Sequence, residues 1–205
     1  MPHDADVPEP APSNNPAHGA TSYTDSGAGQ PDRLQRLWAP YRMDYIASSA
    51  RKSGERSNPF VEIPSLPDED GLVVARGNEV YCVLNLFPYN SGHCMVVPYR
   101  QVANLEELTP TEMAELMLFA QTAVKVIKEV SAPDAFNVGF NLGKASGGSV
   151  AEHIHLHIVP RWSGDANFMT VLGGTKVLPQ LLKDTRSLLA QVWSAHPDFP
   201  GRAHA

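Results

Sequence analysis

The sequence is poor in the features that mark secreted, membrane-spanning and zinc-stabilised proteins. Its 205 residues include two cysteines, Cys82 and Cys94, and no Cys-x-x-Cys pair, so structural zinc is not indicated and two buried free thiols are predicted. No apolar run approaches the roughly 18 residues of a membrane helix, and no basic stretch followed by an apolar one opens the chain. We therefore expect a cytoplasmic protein with no membrane partner.

Positive charge is also scarce. The chain has 16 Lys and Arg residues against 22 Asp and Glu residues, which gives a net charge of −6. General nucleic-acid binders present basic surfaces, because they must neutralise phosphates. We therefore expect no nucleic-acid partner.

Large apolar residues are almost absent from the first 31 positions, which are rich in Pro, Ala, Ser, Gly and Asp. Such a segment cannot bury enough apolar surface to offset the entropy lost on ordering. We predict a disordered tail over 1–31, one domain over 32–195 and a frayed end over 196–205. Early in the domain, an aromatic segment with Trp38 and Tyr41 either packs against the domain or a second subunit, or Trp38 or Tyr41 helps to enclose a purine ring by stacking.

The next part of the chain predicts a loop, an extended segment and then strands. Residues 48–58 are polar and indicate a loop, and the proline-rich residues 59–70 indicate an extended segment. Apolar runs bounded by turn residues then predict strands at 71–75, 80–84, 92–98 and 136–143.

A long helix is predicted between the last two of these strands. Thr109 and Glu112 fit a capping box, and Pro110 suits the first helical turn. Apolar residues form one stripe over about five turns, at Met113, Leu116, Met117, Ala120, Val124, Ile127 and Val130. We expect this stripe, with both methionines, to pack in the core, and we predict another helix over about 177–192.

The most informative stretch is residues 146–162, SGGSVAEHIHLHIVPRW. Its centre alternates histidines with apolar residues, as His153-Ile154-His155-Leu156-His157-Ile158-Val159. Alternation predicts a half-buried strand with three imidazoles on one face and apolar side chains on the other. Rings roughly 6.6–6.8 Å apart along such a face can surround one small anionic group. The preceding Gly147-Gly148-Ser149 would let backbone N–H groups approach an anion.

Two other interpretations of this stretch exist. The strand could simply carry histidines on an exposed face, or the rings could bind zinc, for which neutral imidazole is a common ligand. Further metal ligands are not apparent, because Glu152 lies on the opposite face by parity and Asp165 lies beyond the turn. The glycine loop favours phosphoryl chemistry.

The run H-φ-H-φ-H-φ-φ followed by Pro160-Arg161 resembles the signature of the histidine triad (HIT) family of nucleotide hydrolases and transferases. The resemblance covers roughly residues 37–182. It implies an α+β fold in which a mostly antiparallel sheet of about five strands packs with one long helix and a C-terminal helix. It also implies a homodimer whose subunits join their sheets.

The resemblance further implies the roles of the histidines. His155 would attack the α-phosphorus of a nucleotide and form a covalent nucleotidyl intermediate. His153 and His157 would hydrogen-bond the phosphate oxygens. His93 resembles a fourth family histidine that lines the site behind the triad, although a hydrogen-bonded core histidine is an equally open interpretation.

Other positions match family contacts to the nucleotide. Asn85 would hold the ribose hydroxyls with Leu86 beside the base, although a strand-end cap would also explain Asn85. Asn141 would lie close to the transferred phosphate. Ser149 and the amides around Gly148 would meet the developing charge.

One departure from the common family pattern narrows the expected activity. Many members carry Gln in G-Q-[ST]-V-x-H, whereas residues 148–153 read Gly-Ser-Val-Ala-Glu-His. The Gly148-Ser149 pair is smaller than a pair that contains Gln and leaves room for a second anion, which Trp162 would help to enclose. With the R-W-x-G-D-x-N-F tail over 161–168, the sequence resembles the phosphorylases of the family, which split diadenosine tetraphosphate with inorganic phosphate into ADP and ATP.

The resemblance implies no required cofactor and no bound metal, and it leaves Mg²⁺ open as an ion that accompanies the polyphosphate substrate. Three rival functions stay open at this point. They are a hydrolase that uses water on dinucleoside polyphosphates or nucleoside phosphoramidates, a non-enzymatic nucleotide-binding module, and a metallo-hydrolase.

Overall fold

The computed structural model describes residues 58–146, 150–165 and 180–201. The predicted tail, the aromatic stretch with Trp38 and Tyr41, and residues Gly148 and Ser149 lie outside these ranges. Within them, no helix is both long enough and apolar enough to cross a membrane.

A single five-stranded antiparallel sheet forms the centre of the described chain, which confirms the predicted fold class. The strands are β1 (Val73–Arg76), β2 (Val80–Leu84), β3 (Cys94–Pro98), β4 (Ala135–Phe140) and β5 (Leu156–Arg161). Their spatial order is β1-β2-β3-β5-β4, so β3 and β5 lie inside the sheet and β4 lies at an edge. Cys82 and Cys94 are buried free thiols, as predicted.

The α-helices within the described ranges are α1 (Pro59–Glu62), α2 (Pro110–Ser131) and α3 (Leu182–Ala195), and the last two are the predicted long and C-terminal helices. The predicted capping box of α2 is present, since Thr109 and Glu112 exchange side-chain and backbone hydrogen bonds. The prediction that Met117 packs in the core was wrong, because its side chain is 44 % exposed. The buried stripe is centred on Phe119 and Ala123, and this rotates Met117 towards solvent.

Apolar side chains cover both faces of the sheet. On one face, residues such as Val96 and Ile158 pack with α2 and α3 in the larger cluster. The other face carries a smaller cluster, whose buried members are Phe60, Val73, Tyr81, Val83, Met95 and Val97. Met95 lies directly opposite His157 in the β3–β5 ladder, so this smaller cluster borders the histidines.

The prediction of an extended segment over 59–70 was wrong for its first residues, which form α1 and a 3-10 turn (Ile63–Ser65). The side chain of Asn58 caps α1 by accepting the N–H of Phe60 at 3.0 Å, and Pro59 occupies the first helical position. Both features stabilise a helix start. The Tyr81 hydroxyl donates to the Phe60 carbonyl at 2.8 Å and ties the turn to the sheet.

Candidate active site

The three histidines of the triad lie on one face of the chain, as the alternation predicts. The ring centroids of His155 and His157 are 4.8 Å apart. The ring of Phe60 packs against both His153 and His155, with centroid separations of 5.6 and 4.9 Å. Only His157 lies within β5, because the N–H of Ile154 donates to the carbonyl of Val102 at 2.7 Å before the strand begins. All three side chains are buried, more deeply than a half-buried strand would place them.

His155 has the tautomer that a nucleophile requires. Its Nδ1 lies 2.8 Å from the main-chain carbonyl of His153. A carbonyl can only accept, so we assign the proton to Nδ1, which leaves the lone pair on Nε2. Burial, and secondarily the nearby His153, lowers the pKa of His155 below its ordinary value. The ring is therefore neutral at pH 7, with Nε2 free to attack.

His153 is held by the protein at both ring nitrogens. Nε2 donates to the carbonyl of Pro98 at 2.8 Å, and Nδ1 lies 3.0 Å from the side-chain nitrogen of Asn58. Burial lowers the pKa of His153 despite the carbonyl contact, which acts in the opposite direction. A phosphate oxygen would have to displace one of these partners, so the geometry favours His153 as a group that positions its neighbours.

His157 and His93 belong to one chain of hydrogen bonds. The N–H of Tyr89 donates to His93 Nδ1 at 3.0 Å, and His93 Nε2 lies 2.9 Å from His157 Nδ1. Since a backbone N–H can only donate, His93 carries its proton on Nε2 and His157 carries its proton on its own Nε2. Burial, with a smaller effect from His155, lowers the pKa of His157 to about 4. His93 is thus both a core histidine and a part of the site.

The fold brings Asn141 to the triad. Its amide nitrogen lies 3.2 Å from His157 Nε2. Two donors cannot bond, so we assign the amide with its oxygen towards His157. Asn85 caps the loop after β2, where its Oδ1 accepts the N–H of Phe87 at 2.9 Å, and Leu86 beside it is 61 % exposed.

Trp162 is not brought to the three rings within this chain. It follows β5 on the side of the long helix by parity, and its indole N–H points to the carbonyl of Ser131 at 3.4 Å. Ser131 is the last residue of α2, which packs on the face of the sheet opposite the histidines. Gly148 and Ser149, the remaining predicted phosphate contacts, lie outside the described residues.

An open cleft of about 450 Å³ runs beside His157 along β4 and β5. It is lined by Tyr89, Asn90, Asn137, Val138, Gly139, Phe140, Asn141, His157, Val159, Arg161 and Asp165. Gly139 lies opposite His157 in the ladder, and a Cβ added to it would meet no atom within 4 Å. Because Gly139 has no side chain, the space in the cleft next to His157 stays open.

Sequence reasoning missed the role of Asp165, which joins two parts of the site. Its carboxylate accepts from Arg161 at 2.6 and 2.9 Å and from Asn90 at 2.6 Å. The Arg161 guanidinium holds the pKa of this carboxyl well below its usual range. Asp165 thus ties the loop between β2 and β3 to the end of β5. The four-residue spacing of Arg161 and Asp165 could have indicated the pair.

Two of the three triad histidines make hydrogen bonds that a metal ion would have to replace. Within residues 58–146, 150–165 and 180–201, no group of three His, Cys, Asp or Glu side chains could hold a metal ion. The Nδ1 of His155 and both ring nitrogens of His153 are committed to protein partners.

Comparison with known proteins identifies the family. The HIT domain matches residues 67–164. A protein of Mycobacterium tuberculosis strain H37Rv, named AP-4-A phosphorylase, is 62 % identical over 178 residues that cover 84 % of this chain and 91 % of that protein. The chain belongs to the HIT family.

Two further kinds of match place this HIT protein among its relatives. The asymmetrical bis(5'-nucleosyl)-tetraphosphatase of Schizosaccharomyces pombe is 38 % identical over 82 residues, 40 % of this chain and 44 % of that one. A histidine triad nucleotide-binding protein from Sulfolobus tokodaii, described as hypothetical, has a TM-score of 0.53 at 23 % identity and covers 70 % of this chain and 99 % of its own. A Hit-like protein of Bartonella henselae has a TM-score of 0.50 at 22 % identity over 59 % of this chain and 85 % of its own. The two solved structures show the shared fold.

Proposed function

We propose that this HIT protein is a diadenosine tetraphosphate phosphorylase, which transfers a nucleotidyl group first to His155 and then to inorganic phosphate. The observation that carries the proposal is the hydrogen bond from His155 Nδ1 to the carbonyl of His153, because it leaves a buried, neutral Nε2 as the attacking atom. The 62 % identity to a protein named AP-4-A phosphorylase supports the choice of substrate.

In the first step, Nε2 of His155 bonds to the α-phosphorus of one adenosine, and the bond from that phosphorus to the bridging oxygen breaks. ATP leaves, and adenylyl-His155 remains. The Nε2–H of His157 faces Asn141 in the structure. Asn141 is a side chain that lines the open cleft, so a non-bridging oxygen of the phosphoryl group can take its place as the acceptor of this N–H. Donors that are fixed before the reaction stabilise the developing charge without having to reorganise.

In the second step, an oxygen of inorganic phosphate bonds to the phosphorus, the N–P bond breaks, and ADP leaves with His155 neutral again. The open cleft beside His157 gives the acceptor a path to the phosphorus. Trp162 lies on the opposite face of the sheet, so we do not assign it to this second anion. We retain Gly148 and Ser149 as the groups that hold the anion. Their support is the absence of the usual glutamine before the triad.

The nucleoside would lie beside the loop after β2. The Oδ1 of Asn85 is occupied by the N–H of Phe87, and its amide nitrogen makes no hydrogen bond within the described ranges, which suits a donor to a ribose oxygen. The exposed side chain of Leu86 offers an apolar surface to the base.

A water-using hydrolase is the second candidate, because relatives of lower identity carry hydrolase names. One is the tetraphosphatase of S. pombe, and another, from Dictyostelium discoideum, is a bis(5'-adenosyl)-triphosphatase that is 37 % identical over 81 residues. Both matches cover 40 % of this chain, far less than the match to the phosphorylase.

The test is incubation with diadenosine tetraphosphate and labelled inorganic phosphate. Label in the β-phosphate of ADP, with ATP as the other product, supports phosphorolysis. AMP and ATP at a rate independent of phosphate would identify the hydrolase instead. Because the N–P bond of adenylyl-histidine is labile to acid and stable to alkali, quenching with alkaline denaturant before phosphate is added, followed by mass spectrometry of the peptide with His155 at neutral or alkaline pH, tests the covalent intermediate.

We also propose a cytoplasmic homodimer that joins two sheets at β4. This strand lies at the sheet edge, and the side chain of Val138 on it is 49 % exposed. Sedimentation of the wild-type chain and of Val138→Lys tests the dimer, since a buried lysine at a shared edge would favour monomers.

A further inference from the structure

Asn58 contacts the triad from a position 95 residues earlier in the chain. Its side-chain nitrogen lies 3.0 Å from Nδ1 of His153, and its oxygen accepts the N–H of Phe60 at 3.0 Å. The second bond settles the orientation of the amide, because the N–H of Phe60 can only donate. The atom that faces His153 is therefore a donor.

This donor selects one protonation state of His153. Nδ1 must accept, so the proton of the neutral ring is on Nε2, where the carbonyl of Pro98 accepts it at 2.8 Å. In the imidazolium form, an N–H of the ring would face the N–H of Asn58, and the contact would become repulsive. Asn58 and Pro98 thus hold the ring from opposite sides in its neutral state.

The surroundings of His153 reinforce this arrangement. From α1 it meets Asn58 and the ring of Phe60, from β3 the carbonyl of Pro98, and along its own segment the titratable ring of His155. Glu62 of α1 and Glu152, which precedes His153 in the chain, are both exposed residues. The neutral ring therefore depends on hydrogen-bond direction and burial.

The orientation of the His153 ring affects the nucleophile, His155, through the main chain. The carbonyl of His153 is the acceptor for Nδ1 of His155, and the ring of the same residue is fixed by Asn58 and Pro98. A ring that turned or took up a proton would shift this carbonyl and put a positive charge next to the attacking ring.

We propose that Asn58 is a positioning residue for nucleotidyl transfer, which holds His153 in the neutral Nε2–H tautomer and thereby orients His155. The role in transfer rests on the proposed function, whereas the tautomer can be measured without it. This role would give α1 a part in the reaction, in addition to its packing on the sheet.

Two substitutions separate the cap of α1 from the contact with His153. Asn58→Ser keeps an N-cap oxygen but is too short to reach the ring, and Asn58→Asp keeps the cap while presenting an acceptor to Nδ1. The readouts are the single-turnover rate of adenylyl-His155 formation over pH, with KM and kcat measured separately, and ¹⁵N NMR of the histidine rings.

The wild type should show the Nε2–H tautomer of His153 at pH 7, and Asn58→Asp should show the imidazolium. Asn58→Ser should lower the single-turnover rate by about 10- to 100-fold with KM little changed, as misplacement of a reacting group predicts. Asn58→Asp should move the acidic limb of the pH–rate profile to higher pH.

A wild-type His153 that is protonated on Nδ1 would overturn the proposal, and this measurement needs no variant. So would rates and pH profiles of both variants that match the wild type. If the wild type formed no adenylyl-His155, the proposed function would fail, and the NMR tautomers of the wild type and Asn58→Asp would still decide the role of Asn58 towards His153.

Discussion

The two faces of the segment 155–158 are almost equally buried but are held in different ways. Leu156 and Ile158 are 2 % and 0 % exposed and pack with α2 and α3, whereas His155 and His157 are 6 % and 8 % exposed on the opposite face. The apolar side chains are held by close packing, which is not directional. The imidazoles are held by hydrogen bonds with a fixed direction, and these determine which nitrogen carries the proton. Substitutions on the apolar face should therefore change mainly stability, whereas substitutions on the histidine face should also change reactivity.

His155→Ala should give the largest effect, which is on reactivity. Loss of the attacking nitrogen should lower kcat by about 10⁴-fold or more, because no adenylyl intermediate can form. Removal of the buried ring should also lower the free energy of unfolding, so activity is measured where the variant is folded. Phosphorolysis assays, mass spectrometry and urea unfolding on the same preparation would measure these changes. Wild-type activity in the variant would contradict the covalent route.

Leu116→Ala should lower stability and leave reactivity unchanged, because Leu116 of α2 belongs to the cluster that packs on the apolar face. The side chain is 0 % exposed in the larger cluster, and its truncation should lower the free energy of unfolding by about 4 kcal/mol through lost burial and a cavity. Under folding conditions the single-turnover rate should stay close to wild type. A large loss of rate in a folded variant would show that the two faces are coupled.

Acidification should lower the free energy of unfolding through the buried ring of His157. Burial lowers the pKa of His157 to about 4, against 6.5 for an ordinary imidazole. Between these values the unfolded state binds more protons than the folded state, so the free energy of unfolding falls as the pH falls. The loss for His157 should be about 3 kcal/mol from pH 7 to pH 4.

Urea unfolding at several pH values, with wild type and His157→Asn, would measure this contribution. The variant should have the shallower dependence, because the titrating ring is gone. Leu116→Ala serves as the control and should keep the wild-type dependence at a lower overall stability. Equal slopes for wild type and His157→Asn would show that His157 takes up its proton in the folded state.

Thr109→Ala should give the smallest effect, at the start of α2. The Thr109 hydroxyl accepts the N–H of Glu112 at 3.2 Å, and loss of an N-cap costs about 1 kcal/mol. Thr109→Ser should retain most of this stability, and neither variant should alter the rate of phosphorolysis. Thermal unfolding of the three proteins would detect the difference. A Ser variant as unstable as the Ala variant would mean that the methyl group, and not the cap, stabilises the helix.

The sequence predicted most of the features that depend on neighbouring residues. Alternation gives the face that the three histidines share, because successive side chains of an extended segment point to opposite sides. The capping box of α2 is likewise local. Asn58-Pro59 carries both an N-cap and a first-turn proline, so the start of α1 could also have been predicted from a local signal that proline content alone obscured.

Features that depend on distant partners could not be predicted. No spacing links Asn58 to His153, which lie 95 residues apart, or indicates that Val102 accepts the N–H of Ile154 and delays the start of β5. The prediction for Met117 was wrong for a related reason. An apolar stripe gives a helix face only to within about one residue, and the packing of Phe119 against Trp193 of α3 selects the rotation.

The acceptor that orients His155 is a main-chain oxygen, and this affects how the site can change by mutation. Every residue type at position 153 supplies a carbonyl, so no exchange of side chain there deletes the atom itself. The tautomer of His155 can be lost only when the path of the backbone shifts. A library of variants at 153 should therefore retain graded activity, whereas a library at 155 should divide sharply into active and inactive members.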